Sequence, residues 1–370
     1  MKKSIVFLAA AAALIAASCT KEASNPSVRE PLDGKVLLSV GVNTRAVTTK
    51  AAGDAVADTE AERKINNIDV FLFNGDVLDA YGSAFTQEST ADGKATVTGI
   101  RATNSTLDVY VVANAPASLK NGITTKTGLL AAVSAFADNG AASFIMQGSS
   151  SSVDVSAITP VSGVKKIEGI QLERIVNKVS VAKITKDFSS PAIQASEVKL
   201  EGLYIVNAAK EAKYVFQTSD AAPTAADASY WNYNATFADN ALISKAYASG
   251  SEPVVAASTG TALSEALYFY PNPAAEAASI SGIDYVTKLV LKVKVGSKSY
   301  WYPVGITQTG TADRNLVYEI SNVTLRALGN DTESAGPNEY IDPATVSVEI
   351  TVKDWVSADI AGSYNGDILS

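Results

Sequence analysis

The stretch KVLLSVGV, residues 35–42, alternates apolar side chains with other residues at a period of two. Such alternation is typical of a β-strand that buries one face against a core. The buried face would carry four side chains, those of Val36, Leu38, Val40 and Val42. The folded body of the protein is therefore predicted to begin with a strand near residue 35.

Similar strand-like segments follow along the chain, separated by turn residues such as Asn74-Gly75 and the ADGK sequence at 91–94. Only residues 125–140 have the apolar spacing of a helix, and Asn139-Gly140 would end it. Many short strands with little helix predict an all-β protein built of antiparallel β-sandwiches, with one or two short helices.

Upstream of the first strand, the chain has the features of an export signal. Two lysines precede an apolar run, residues 5–17, that has the length of a signal-peptide core. Small residues then lead to Cys19, the only cysteine in the chain. This arrangement resembles a bacterial lipobox, in which the thiol is lipidated and the chain is cut just before it, although Ala16 stands where leucine is preferred. The alternative is an ordinary signal peptide in which Cys19 has no role.

The composition excludes several classes of function. The chain has 370 residues, a net charge of −8 and no histidine. An acidic protein without arginine clusters lacks the electrostatic surface that nucleic acids require. Without histidine and with one cysteine, the chain has no Ser-His-Asp triad, no histidine-containing zinc site and no iron–sulfur ligand set. We therefore expect no cofactor and no metal site, and of the enzyme classes considered only catalysis by carboxylates alone, as in glycosidases, stays open.

Several segments resemble the fimbrillin family, the pilin subunits of Bacteroidales type V pili. They are RKINNIDVFLFNGD, FIMQG, LERIVNKVSVAKI with Arg174 and Lys178, YFYPNP, SYWYPVGI, RNLVY with Arg314, Asn315 and Tyr318, and TVKDW with Trp355. Each motif is weak alone, but their order along most of the chain, together with the lipobox, favours this family.

The resemblance implies a fold of two transthyretin-like β-sandwich domains. On that basis the chain divides into a lipoprotein signal peptide (1–18), a tether (19–34), an N-terminal sandwich (35–172), a C-terminal sandwich (173–355) and a tail (356–370).

The resemblance also implies a route to assembly. A lipoprotein precursor reaches the outer membrane, where a trypsin-like surface protease cuts after an arginine and removes the first strand, residues 35–42. A strand from another copy, or from a related pilus subunit, then fills the groove, so that the mature protein lies in an extracellular fimbrium used for adhesion. Cleavage between Arg45 and Ala46 fits best, because an unpatterned loop follows. The rivals are Arg29, which would leave the strand in place, and Arg63, which would release more of the chain.

The tail is the candidate donor strand. Val356, Ala358, Ile360 and Tyr364 repeat the period of two seen in residues 35–42. The alternative for this segment is a chain end without a role.

The sequence leaves two other functions open. Tyr230, Trp231 and Tyr233 form an aromatic cluster that could contact a glycan, which would suit a surface glycan-binding lipoprotein. Within a pilus, the chain could also be an anchor or tip subunit rather than the stalk.

Overall fold

The computed structural model describes residues 34–44, 55–89, 93–217, 232, 237, 240–272, 279–280, 283–284, 286–306, 314–332, 341 and 344–356. Among these, no helix is long and apolar enough to cross a membrane.

The described part of the chain is dominated by strands, numbered here in chain order. They are β1 (Lys35–Thr44), β2 (Ala55–Ala57), β3 (Ile68–Asn74), β4 (Val77–Gly82), β5 (Phe85–Ser89), β6 (Lys94–Thr103), β7 (Thr106–Ala113), β8 (Val133–Ala135), β9 (Met146–Asp154), β10 (Lys165–Arg174), β11 (Asn177–Lys186), β12 (Val198–Val206), β13 (Glu211–Lys213), β14 (Ser244–Ala246), β15 (Thr261–Phe269), β16 (Ser279–Ile280), β17 (Ile283–Asp284), β18 (Lys288–Val295), β19 (Lys298–Gly305), β20 (Leu316–Leu325) and β21 (Val346–Val356). Three short helices accompany them: α1 (Leu119–Gly122), α2 (Lys126–Ala131) and α3 (Pro191–Ala195). The predicted all-β class is confirmed.

The strands form three main sheets. An eight-stranded sheet has the order β4-β3-β7-β9-β10-β1-β6-β5, a five-stranded sheet the order β15-β11-β20-β21-β2, and a four-stranded sheet the order β14-β12-β18-β19. Two small pairs, β13-β8 and β16-β17, complete the set among the described residues. The sheets are mixed rather than purely antiparallel as predicted, because β1 is parallel to β10, β11 to β20 and β2 to β21.

Short turns set the register of the hairpins. β3 and β4 pair from Asn74 to Val77 around Gly75, whose φ of 62° is a left-handed conformation that glycine adopts without strain. Gly296, with a φ of 59°, has the same role between β18 and β19. Both turns follow from sequence chemistry that is local to the hairpin.

Two large hydrophobic cores hold the sheets together. One lies within the eight-stranded sheet and includes Leu38, Val40, Val70 and Leu72. The other joins the remaining sheets to the opposite face of β3, where Phe71 and Phe73 are fully buried. Because alternate residues of β3 enter different cores, this strand is buried on both faces.

The predicted helix at 125–140 is wrong over its second half. Helix α2 ends at Ala131, and residues 133–135 form β8, which pairs with β13. The side chain of Ser134 is fully buried and hydrogen-bonded to the Tyr270 hydroxyl at 2.7 Å, whereas Val133 is 51% exposed. Pairing with a strand that lies far along the sequence overrides the helical spacing here.

The strands of the eight-stranded sheet all lie between residues 35 and 174, and the five- and four-stranded sheets lie between 177 and 356 apart from β2. The predicted boundary at 172/173 falls near the end of β10. The division into two domains and their transthyretin-like character stay predictions.

Candidate functional site: the position of β1 and the buried cluster beside it

β1 lies inside the eight-stranded sheet, between β10 and β6. It runs parallel to β10 and antiparallel to β6. A strand in this position makes backbone hydrogen bonds along both of its edges. Its removal would therefore leave two unpaired strand edges with a groove between them.

The side chains of β1 fill that groove. Leu38 and Val40 are fully buried and Val42 is 4% exposed, while Val36 is partly buried against the same core. Val40 lies opposite Val97 of β6. The predicted alternation along residues 35–42 is present in the structure, whereas the removal of the strand stays a prediction.

Polar contacts fix both ends of β1. At its start, the Lys35 ammonium donates to the Asp79 carbonyl at 3.2 Å, and the Asp79 carboxylate accepts from the Thr103 backbone N–H at 2.7 Å. At its end, the Thr44 backbone N–H donates to the Gly93 carbonyl at 3.1 Å. The strand thus ends at Thr44, one residue before the Arg45–Ala46 bond at which cleavage is predicted.

Most of the other predicted site residues lie outside the described part of the chain. They are Cys19, Arg29, Arg45, Ala46, Tyr230, Trp231, Tyr233, Ala358, Ile360 and Tyr364. Val356 is the last residue of β21 and pairs with Ala57 of β2, so the C-terminal sheet extends one residue beyond the predicted boundary at 355. The lipidation, cleavage, donor-strand and glycan assignments all stay predictions.

A buried polar cluster lies where the segment after β2 meets the end of β10. Arg174 is 1% exposed, and its guanidinium donates to the Asp58 carboxylate through Nη2 and to the Glu62 carbonyl through Nε at 3.0 Å. Its Nη1 and its backbone N–H both donate to the Asn315 side-chain oxygen, at 3.2 and 3.3 Å. Arg63 completes the arrangement, because its Nη1 donates to the other Asp58 oxygen at 2.5 Å. The Arg174 side chain therefore joins residues 58–62 and Asn315, the residue before β20, to the end of β10.

Glu62 forms a second link from the same segment. One carboxylate oxygen accepts from the Lys178 ammonium at 2.7 Å and from the Tyr268 hydroxyl at 2.8 Å. The other accepts from the Thr59 backbone N–H at 2.7 Å, while the Thr59 hydroxyl accepts from the Glu62 backbone N–H at 3.3 Å. This reciprocal pair is the capping-box arrangement, here closing a single turn.

Trp355 covers the cluster. Its fully buried ring lies 4.4 Å from the centre of the Arg174 guanidinium and stacks on Tyr268 with ring centroids 5.8 Å apart. Its backbone carbonyl accepts from the Asn315 side-chain amide at 2.9 Å. The cation–π contact and the ring stack shield the ion pairs from water.

Electrostatics favour the charged form of the Glu62 carboxylate. Burial alone would raise the pKa of Glu62, but the charge of Lys178 and the hydrogen bonds from Lys178, Thr59 and Tyr268 together hold it below its usual value. Burial lowers the pKa of Arg174, and the neighbouring Asp58 and Glu62 oppose that effect. Two carboxylates thus face three cations, Arg63, Arg174 and Lys178, in a site closed to solvent.

Four residues from three sequence motifs meet at this cluster: Arg174, Lys178, Asn315 and Trp355. Tyr268, from a further motif, joins them. Asp58 and Glu62 were missed, because residues 44–62 were interpreted as an unpatterned loop. The Thr59-x-x-Glu62 spacing is a capping-box signature that could have revealed a fixed turn there.

Within the described residues, no group of three or more acidic, histidine or cysteine side chains is placed to hold a metal ion. The cluster pairs its carboxylates with cations, so it holds chain segments together and offers no open position to a ligand.

Comparisons with known proteins agree with this architecture. Residues 37–185 match the family model of the major fimbrial subunit protein (FimA). A candidate fimbrium tip subunit of Parabacteroides distasonis, Fim1C, is 25% identical over 264 residues, which cover 68% of this chain and 69% of that protein.

Solved structures share the fold. A candidate cell adhesion protein from Parabacteroides distasonis has a TM-score of 0.64 at 15% identity and covers 89% of this chain and 99% of its own. A fimbrilin (FimA) from Porphyromonas gingivalis has a TM-score of 0.58 at 16% identity and covers 86% and 98%. The resemblance to the fimbrillin family predicted from the sequence is therefore confirmed, by the family model that matches residues 37–185 and by the fold that the chain shares with a solved fimbrilin.

Proposed function

We propose that this chain is a structural pilus subunit, made as a lipoprotein precursor and activated by cleavage after Arg45. Cleavage frees β1, and a strand from another subunit takes its place between β10 and β6. The protein has no catalytic role in this scheme, and its partners are other copies of itself, related pilus subunits and the activating trypsin-like protease.

The observation that carries the proposal is the central position of β1. It pairs on both edges and buries Leu38, Val40 and Val42. A peripheral strand could be lost without consequence, but the loss of this one opens the sheet and its core together. An incoming strand of matching alternation would restore both the hydrogen bonds and the apolar contacts.

Energetics explain why a covalent step is needed. Burying four Val or Leu side chains contributes roughly 6–12 kcal/mol as an upper bound. Attachment to the rest of the chain also gives β1 an effective concentration of about a millimolar or more in its own groove. A strand from another subunit competes poorly with both effects until the attachment is cut.

The position of the arginines favours Arg45 as the cleavage site. β1 ends at Thr44, so cleavage after Arg45 would separate the whole strand from the body. Arg63 is 8% exposed and paired with Asp58, and a protease needs an accessible, extended segment. This burial supports Arg45 over Arg63.

Cys19 supplies the membrane attachment in this scheme. A lipid on Cys19 would hold the precursor at the outer membrane until cleavage separates the body from residues 19–45. The mature subunit would then be free to enter an extracellular fimbrium.

A tip subunit is the second candidate. The similarity to Fim1C, a candidate tip subunit, favours it. A tip subunit needs to accept or donate a strand at one end only, so it caps fibres and does not extend them. The same experiment separates the two roles.

The test uses the purified full chain, cut after Arg45 and examined by electron microscopy for fibres. A stalk subunit should form fibres only after the cut, and the uncut Arg45→Ala variant should stay monomeric. Fibres of uncut chain that still contain residues 35–44 would overturn the proposal. Cut chain that forms no fibres alone but caps those of another subunit would support the tip role instead.

A further inference from the structure

We infer that residues 55–63 form a latch, which keeps the new N-terminal end of the chain docked on β21 after the cut. The latch consists of β2 and the turn that carries Asp58 and Glu62. The inference rests on the proposed function in one respect only: cleavage after Arg45 is the event that would create this new chain end. The docking itself can be tested on a chain that is cut by another protease.

The docking combines a short strand with buried charges. β2 contributes a three-residue parallel pairing, Ala55 to Asp354 through Ala57 to Val356. A pairing of that length adds little by itself, because two-stranded contacts are marginal in water. Directly after it, Asp58 pairs with Arg174 and Glu62 with Lys178, and both carboxylates are almost fully buried. The ion pairs therefore provide most of the docking.

Cleavage changes what holds this segment. In the intact chain, residues 55–63 are part of a connection between β1 and β3, so undocking would release a loop that is fixed at both ends. After the cut, only the connection to β3 remains, and undocking would release a free chain end with more conformational entropy. The latch would therefore matter most after the cut.

Docking of the latch also affects the point where the tail leaves β21. The residues of β21 that pair with β2, Asp354–Val356, are the last before the tail begins. A docked β2 covers the edge of β21 at that point, where an uncovered edge could pair with other strands. The latch thus fixes the point at which the tail leaves the sheet. It also limits the free new N-terminal end to residues 46–54, which span at most about 30 Å when fully extended.

Hydrogen exchange on the full chain can test the latch. A recognition sequence for an unrelated site-specific protease replaces residues 47–53, so that the cut does not depend on Arg45. Peptide-level exchange of β2 and of residues 354–356 is then followed in the monomeric fraction, before and after cutting. Amides of β18 report on the global fold, and failure of strand exchange leaves this experiment unaffected.

In the otherwise unaltered chain, cutting should change exchange of β2 by less than about threefold. Asp58→Asn removes the carboxylate that pairs with Arg174 and Arg63. Exchange of β2 should therefore rise on the order of a hundredfold in the cut chain and about tenfold less than that in the uncut chain. Glu62→Gln should have a smaller effect in the same direction. Asp331→Asn, which removes an exposed partner of Lys298, is the matched control and should leave β2 unchanged.

Three results would overturn the latch. In the first, cutting removes the hydrogen-exchange protection of β2 in the chain with native Asp58 as completely as it does in the Asp58→Asn variant. In the second, Asp58→Asn leaves β2 of the cut chain protected. In the third, β18 loses protection in step with β2, because the ion pairs then stabilise the whole fold and not this segment.

Discussion

Val40 of β1 lies opposite Ile167 of β10 in a parallel register, and both side chains are buried. A parallel partner cannot be joined to its neighbour by a tight hairpin. β1 is therefore held in the sheet by side chains and backbone hydrogen bonds, while its chain connection runs through residues 45–54. After a cut in this connection, we therefore expect the strand to stay in place but to become exchangeable.

Leu38→Ala should destabilise the intact chain by about 2–5 kcal/mol, because it leaves a cavity in a fully buried site. Leu37→Ala is the matched control, since Leu37 is the adjacent residue on the same strand, faces the other way and is only half-buried. Urea unfolding followed by circular dichroism measures both. Equal losses for the two variants would mean that the alternation of β1 does not determine its fit.

Cleavage after Arg45 should give mature subunits that begin at Ala46. Arg45→Ala should leave a folded, uncut, lipid-anchored protein, whereas Arg63 should stay intact under native conditions because it is buried against Asp58. N-terminal sequencing of assembled material and peptide mapping of limited trypsin digests measure both outcomes. Mature chains that begin after Arg29 or Arg63 would contradict the assignment.

The sequence predicted the strands well where the signal is local. The alternation of residues 35–42 and the Asn74-Gly75 turn depend on neighbouring residues, and the structure contains both. The second half of the predicted helix failed because β8 pairs with β13, more than seventy residues away. Such a partner leaves no trace in local spacing.

The buried cluster was predictable only in part. Arg174, Lys178 and Trp355 were recognised as motif residues, yet nothing in one sequence pairs residues that lie more than a hundred positions apart. Asp58 and Glu62 lie in an Ala- and Thr-rich stretch whose composition resembles a loop. Their role follows from the burial of two cations that require carboxylate partners.

Lipidation of Cys19 should be detectable by metabolic labelling with palmitate. The precursor should carry the label, and Cys19→Ala should lose both the label and delivery to the cell surface, because no other cysteine can take its place. Cys19→Ser is a matched variant that keeps the size of the side chain and should fail equally. An unlabelled precursor in the parent strain would exclude the lipobox interpretation.

Glu62 should make stability depend on pH in the acidic range. Its folded pKa lies below the ordinary value of 4.5, so the charged form contributes stability above that value, and the contribution is lost as the pH falls through the folded pKa. Glu62→Gln should therefore lower the urea midpoint at about pH 7 and flatten its fall toward about pH 3. Glu168→Gln, at an exposed position of β10, is the control and should follow the unaltered chain. If the urea midpoint of the Glu62→Gln variant depends on pH as that of the unaltered chain does, groups other than Glu62 cause the acid sensitivity.

The donor strand should be the tail that follows β21. A donor must repeat the inward alternation of the strand it replaces, since a slip of one residue turns every apolar side chain toward solvent. The register that continues Val356 places Ala358, Ile360 and Tyr364 inward, with Gly362 leaving one position unfilled.

Deleting residues 357–370 should leave a folded body that, once cut after Arg45, does not extend fibres. Ile360→Asp would place a charge in the groove and should also block extension, because a buried unpaired carboxylate is costly. Ala361→Asp, one residue further along on the outward side, is the matched control and should assemble normally. Fibre length by electron microscopy measures all three. If Ala361→Asp blocks assembly and Ile360→Asp does not, the donor binds in the opposite register. If the chain that lacks residues 357–370 still polymerises, the donor strand lies in another segment.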